Sequence, residues 1–206
     1  KNLFANNKDK LGLSKTAYNF MGGIMHSAEA LSAWFNPTIN SYKRINAPVT
    51  ASGATWSPNT ITYSGNNRTH MIRVPGPGRF ELRLMDGATN PYLLQAGIIA
   101  AGLDGIEKKR NPGKPVYVNM YEESHKVKGA KKLPSSLEKS LKHLSNNNVL
   151  RSAFGKNVID SYIKLKNKEI KKYSSSITKK LGFRGTQQSK KANIITQWEK
   201  DNTLDC

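Results

Sequence analysis

Residues 67–83 read Asn-Arg-Thr-His-Met-Ile-Arg-Val-Pro-Gly-Pro-Gly-Arg-Phe-Glu-Leu-Arg. The reading of this stretch decides the fold. Residues 69–74 and 79–85 have the composition of two strands. Pro75-Gly76-Pro77-Gly78 between them has turn chemistry rather than that of a phosphate loop. On a strand over 79–85, Arg79, Glu81 and Arg83 share one face, and Phe80, Leu82 and Leu84 share the other. One carboxylate between two guanidiniums on a ribbon with an apolar back has two readings. It is a surface ion-pair ladder, or it is a site for a metal ion and an anionic substrate. His70, at the entry to the first strand, is expected to make structural hydrogen bonds.

Working outward, residues 44–83 hold five of the eight arginines: Arg44, Arg68, Arg73, Arg79 and Arg83. The other basic residues are overwhelmingly lysine. Lysine serves solubility, whereas the guanidinium fork fits carboxylate and phosphate oxygens. Upstream, Ser14 caps a predicted helix to about Phe35, with Ala17, Phe20, Met21, Ile24, Met25, Ala28, Leu31 and Phe35 at helical spacing. Gly22-Gly23 inside it implies close contact with a neighbour, and His26 is expected to pack rather than to bind a ligand. Asn36–Arg44 reads as a polar loop with a basic end. Residues 52–64, broken by Pro58, read as a strand-like excursion.

Downstream, Asn90-Pro91 opens a helix to about Arg110 that is apolar nearly all round, as a central core helix would be. Residues 114–134 form a basic linker. Ser135 and Glu138 have the spacing of a capping box, which starts a short helix. A second short helix over 147–154 closes at Gly155, and a lysine-studded amphipathic helix follows from Asn157 to about Ser176. Three divisions are expected: a main body over 1–178, a basic insert or solvated loop over 179–197, and a tail over 198–206.

Composition sets limits. The 206 residues carry a net charge of +19. The excess lies mostly in residues 107–206, where it is lysine-rich and lacks the interleaved arginine and aromatic residues of nucleic-acid binders, so a basic nucleic-acid-binding module is the minor reading. No apolar run reaches membrane-spanning length. The single Cys206 allows no disulfide framework, and a cytoplasmic setting is expected. The start at Lys1 points to a truncated chain.

Four segments together resemble the C-terminal catalytic region of glutamine synthetases. They are Asn36–Arg44; Asn67–Pro75; Arg79–Arg83 through Asp86 to Asn90-Pro91-Tyr92; and Ala100–Ile106. Their order and spacing match over about residues 1–178. The insert 52–58 and the ending 198–206 are similar to the subgroup that includes γ-glutamylmethylamide synthetases. The resemblance implies an α+β fold with antiparallel strands backed by helices. It also implies ATP-dependent amide formation from glutamate and ammonia, with methylamine as the alternative amine, and a homo-oligomeric ring. By the same resemblance Glu81 binds a metal, Mg²⁺ or Mn²⁺. Arg44, Arg68 and Arg83 handle glutamate. Arg68 and Arg83 act on the transferring phosphoryl group, and Arg68, Arg73 and Arg79 contact ATP. Two departures stand out. The segment Ile45–Thr50 lacks the acid the family carries there, and the family's other metal ligands precede Lys1. Tyr121 falls where some members carry a modified tyrosine, although an ordinary loop tyrosine is the expected reading.

Overall fold

The computed structural model describes residues 1–47, 57–191 and 195–203, with 178–191 and residue 203 by backbone alone. The expected strand-like excursion therefore lies partly outside the described residues. Helix α1 runs Lys15–Phe35, and the Ser14 side chain accepts from the Ala17 N–H as its N-cap. It packs along α3 (Pro91–Glu107), which Asn90 caps through the Tyr92 and Leu93 N–H groups. Glycines permit the contact. A Cβ on Gly23 would sit 2.0 Å from the Ala101 carbonyl oxygen, and one on Gly105 would sit 2.2 Å from the Asn19 carbonyl oxygen. The two backbones therefore touch, as Gly22-Gly23 implied. The other side of α3 is not core, contrary to the expectation from its composition: Tyr92, Ile99 and Leu103 are exposed.

Among the described residues the sheet has three short strands in the order β1 (Tyr63–Ser64), β2 (Ile72–Gly76), β3 (Arg79–Leu82). The β2–β3 pair is antiparallel, but β1 joins β2 in parallel, so the sheet is mixed rather than purely antiparallel. Gly78 closes the turn at φ +71°, a conformation that favours glycine. Behind the sheet, Phe80 stacks on Phe4 at 5.9 Å, and Phe20 of α1 lies 6.3 Å from Phe80. The apolar back of β3 therefore rests on α1.

Asn36–Arg44 is not a loop. Thr38 and Ser41 form a reciprocal capping box that starts helix α2 (Ile39–Ile45), with Ser41, Tyr42 and Ile45 buried. Helix α4 spans Leu137–Asn146. Its cap is Ser136, which accepts from the Lys139 N–H, so the Ser135–Glu138 box does not form. Helix α5 (Asn148–Phe154) ends at Gly155 with φ +80°. Helix α6 then runs Lys156–Lys191, and α7 covers Gln197–Thr203. The stretch expected as a solvated loop over 179–197 is thus helical through Lys191, in spite of the weak helix preference of its glycines and serines. Trp34 of α1 meets Phe154 and Tyr162 edge-on, and the Tyr162 hydroxyl donates to the Ala33 carbonyl at 2.7 Å. His26 sits exposed on α1 rather than packed.

Candidate active site

Arg44 lies in the last turn of α2. Its Nη2 donates to Asn36 Oδ1 at 3.2 Å and to the Leu84 carbonyl at 2.7 Å. Asn36 is the fully buried C-cap of α1, and Leu84 follows β3. The next residues return to the same place: the Asp86 N–H and the Thr89 hydroxyl both donate to the Phe35 carbonyl, at 3.0 and 2.6 Å. The end of α1, helix α2 and the exit of β3 therefore meet at one guanidinium. Burial pushes the Arg44 pKa down, and the like charge of Arg83 adds to that, while Asp86 and Tyr121 oppose it. Arg44 Nε is buried without a hydrogen-bond partner, and so is the Tyr121 hydroxyl. Donors held out of water beside a fixed positive charge are what a bound anion requires.

The sheet supplies the second part. Arg73 and Glu81 are direct partners across β2 and β3. Arg73 Nη1 donates to Glu81 Oε2 at 2.7 Å, and Arg83 Nε donates to Oε1 at 3.2 Å. Asn66 Oδ1 accepts from Arg73 Nε at 2.7 Å and orients it. Glu81 is therefore held between two guanidiniums, but its cross-strand neighbour is Arg73 and not Arg79. The carboxylate is 43% exposed, against 16% for Arg73 and 14% for Arg83. It is the most exposed of the three, with the cations more buried. Burial alone would raise its pKa. The hydrogen bond and charge of Arg73, with the charge of Arg83, outweigh this and hold it below the usual carboxylate range.

Arg83 and Arg44 both act electrostatically on Tyr121, which burial pushes upward. The structure therefore brings Arg44, Arg73, Glu81, Arg83 and Tyr121 together. Arg68 and Arg79 are exposed and make no ion pair among the described residues. Neither joins the cluster within this chain. The Tyr121 hydroxyl is sealed from solvent, which favours the packed tyrosine over a modified one. His70 is structural, as expected. It is fully buried, with Nδ1 3.0 Å from Thr62 Oγ1 and Nε2 3.1 Å from the Val118 carbonyl. Sequence reasoning missed Asn36 as the anchor of Arg44. A buried asparagine at a helix end can be recognised only once the helix and its neighbour are placed.

Glu81 is the acid of this cluster, and among the described residues no three His, Cys, Asp or Glu side chains gather to hold a metal ion. An ionised, partly exposed carboxylate fits one position of a hard cation's oxygen shell.

Comparison with known proteins identifies the family of the chain. The family model described as "Glutamine synthetase, catalytic domain" matches residues 1–181. This chain belongs to that family. It is 51% identical over 204 residues to a glutamine synthetase of Rhizobium meliloti (strain 1021), which covers 99% of this chain and 43% of that protein. It is 44% identical over 183 residues to a glutamate–methylamine ligase of Methyloversatilis universalis, covering 86% of this chain and 41% of that protein. A solved GmaS/ADP complex superposes with a TM-score of 0.80 at 48% identity, over 100% of this chain and 43% of that one. The chain thus spans about 43% of the length of such relatives.

Proposed function

We propose that this chain is part of an ATP-dependent glutamate–amine ligase and supplies the arginine wall of its active site. The observation that carries the reading is the cluster in which Arg73 and Arg83 grip Glu81 while Arg44 is fixed beside them with an unpartnered buried Nε. In the proposed reaction the γ-carboxylate of glutamate attacks the γ-phosphorus of ATP. ADP leaves, and an acyl phosphate forms. The amine then attacks the acyl carbon, phosphate departs, and the amine loses a proton.

Arg44 is the candidate to hold a carboxylate of glutamate, because its guanidinium is positioned before substrate arrives and needs little ordering. Arg83 is the candidate to stabilise charge developing on the transferring phosphoryl group. Arg73 is placed to meet an ATP phosphate. Arg68 and Arg79 keep their proposed ATP roles, and Arg68 its glutamate role, only if substrate or the rest of the protein draws them in. A divalent cation, Mg²⁺ or Mn²⁺, bound at Glu81 supplies Lewis-acid neutralisation of phosphate oxygens. Its remaining ligands would come from outside the described residues. The reading includes a ring-forming homo-oligomer in the cytoplasm.

Ammonia is the first candidate amine. Methylamine is favoured by one observation: Ile45–Thr50 carries no acid. Measuring amide formation by the full-length enzyme with ATP, Mg²⁺ and equal concentrations of ammonia and methylamine decides between them. In that assay Arg83→Ala lowers kcat by about 10²-fold or more while ATP binding weakens far less. An equal loss in both would remove Arg83 from the role.

A further inference from the structure

We infer that α7 is a strap whose Glu199 positions Arg44 through Lys43; this rests on the glutamate-binding role proposed for Arg44. Lys43 Nζ donates to Glu199 Oε2 at 2.5 Å, with the Glu199 side chain fully buried and that of Lys43 13% exposed. The same carboxylate oxygen accepts from the Thr196 N–H at 2.7 Å and the Thr196 hydroxyl at 2.8 Å. These bonds fix the carboxylate at the start of α7. Trp198, one residue away, meets the buried Tyr173 of α6 edge-on at 5.2 Å. The strap is therefore seated on α6 and reaches across to α2.

Helix α2 needs such support. Seven residues are too few for a helix to hold itself in water. Its buried side is secured by Tyr42, whose hydroxyl lies 2.7 Å from Ser140 Oγ of α4 and 3.2 Å from the Ser32 carbonyl of α1. Lys43 and Arg44 are consecutive, so a pull on Lys43 sets the rotation of the turn that presents Arg44. A buried ion pair gives little net stability but is costly to break by removing one partner, which makes it better suited to fixing one geometry than to strengthening the fold. The family model ends at residue 181, so α7 lies beyond the common catalytic domain. The aligned stretch of the Rhizobium relative, 204 residues long, reaches into it. The strap is thus an addition, shared with that relative, to a binding element of the common domain.

The test uses the full-length protein carrying Glu199→Gln, Lys43→Met or Lys43→Arg. Two readouts are taken: hydrogen exchange of the 39–45 amides, and separate KM values for glutamate and ATP. Glu199→Gln and Lys43→Met are expected to speed exchange in 39–45 while leaving 137–146 unchanged. They raise the KM for glutamate about tenfold and leave that for ATP within about twofold, and Lys43→Arg restores most of the loss. Unchanged exchange in 39–45 overturns the strap. So does a uniform fall in kcat and both affinities together with a lower Tm, because that is general destabilisation. If the wild-type enzyme forms no amide, the ligase reading fails on its own, and the exchange data still decide whether Glu199 holds α2.

Discussion

His70 carries no charge chemistry, yet it ties three segments together. Its ring bridges Thr62 before β1 and Val118 in the long connection after α3. The Val118 carbonyl can only accept, so Nε2 carries the proton and Nδ1 accepts from Thr62: the neutral ring satisfies both partners. Burial holds its pKa below the ordinary 6.5. The sign follows. Between the folded and unfolded pKa values the unfolded chain binds more protons, so stability rises with pH across that window and declines as pH drops below 6.5. Denaturant melts from pH 8 to pH 5 should show this slope, and His70→Gln should remove up to about one proton's worth of it while costing about 1–3 kcal/mol at pH 8. The structural role of His70 was legible from its place beside a strand. Of the two partners of Glu81, Arg83 was legible and Arg73 was not. Alternation along one strand put Arg79 and Arg83 beside it. The actual neighbour, Arg73, depends on the register across the turn, which shifts between Arg73 and Gly76.

Among the elements, the long helices were the readable ones. Ser14 and Asn90 cap α1 and α3 where serine and asparagine led the expectation, since a cap needs only local chemistry. Helix α2 was read as a loop because two turns leave no periodic signal. Its capping box, Thr38 with Ser41, lacks the usual acid. The extent of α6 was likewise hidden, since Gly182, Gly185 and a run of polar residues resemble a linker. Gly22-Gly23 did predict a close neighbour, and the structure supplies the reason. Gly105→Ala should destabilise the protein by about 2–4 kcal/mol in thermal or urea denaturation, because its Cβ meets backbone rather than a movable side-chain end. A loss under 0.5 kcal/mol would mean the helices can separate at little cost.

At the level of the whole molecule, the proposed site holds only part of what the proposed reaction needs among the described residues. One carboxylate does not complete a cation site, so residues 1–206 expressed alone should form no detectable amide from glutamate, ATP, Mg²⁺ and either amine. Activity in that preparation would require ligands this cluster does not hold. The four segments that pointed to the family were legible as a set, through their order and spacing. The association of α7 with α2 was not, because a contact across 156 residues leaves no local trace.

The α1–α3 seam has a consequence for how this chain can vary. The sites where two backbones touch favour one residue type, although none of them belongs to the arginine cluster. The many lysines of the outer helices, by contrast, can be exchanged with little effect on the architecture. In a survey of all substitutions Gly23 and Gly105 would therefore score as intolerant as Arg44. A map of intolerance drawn on this protein would trace the joint between two helices as clearly as it traces the chemistry.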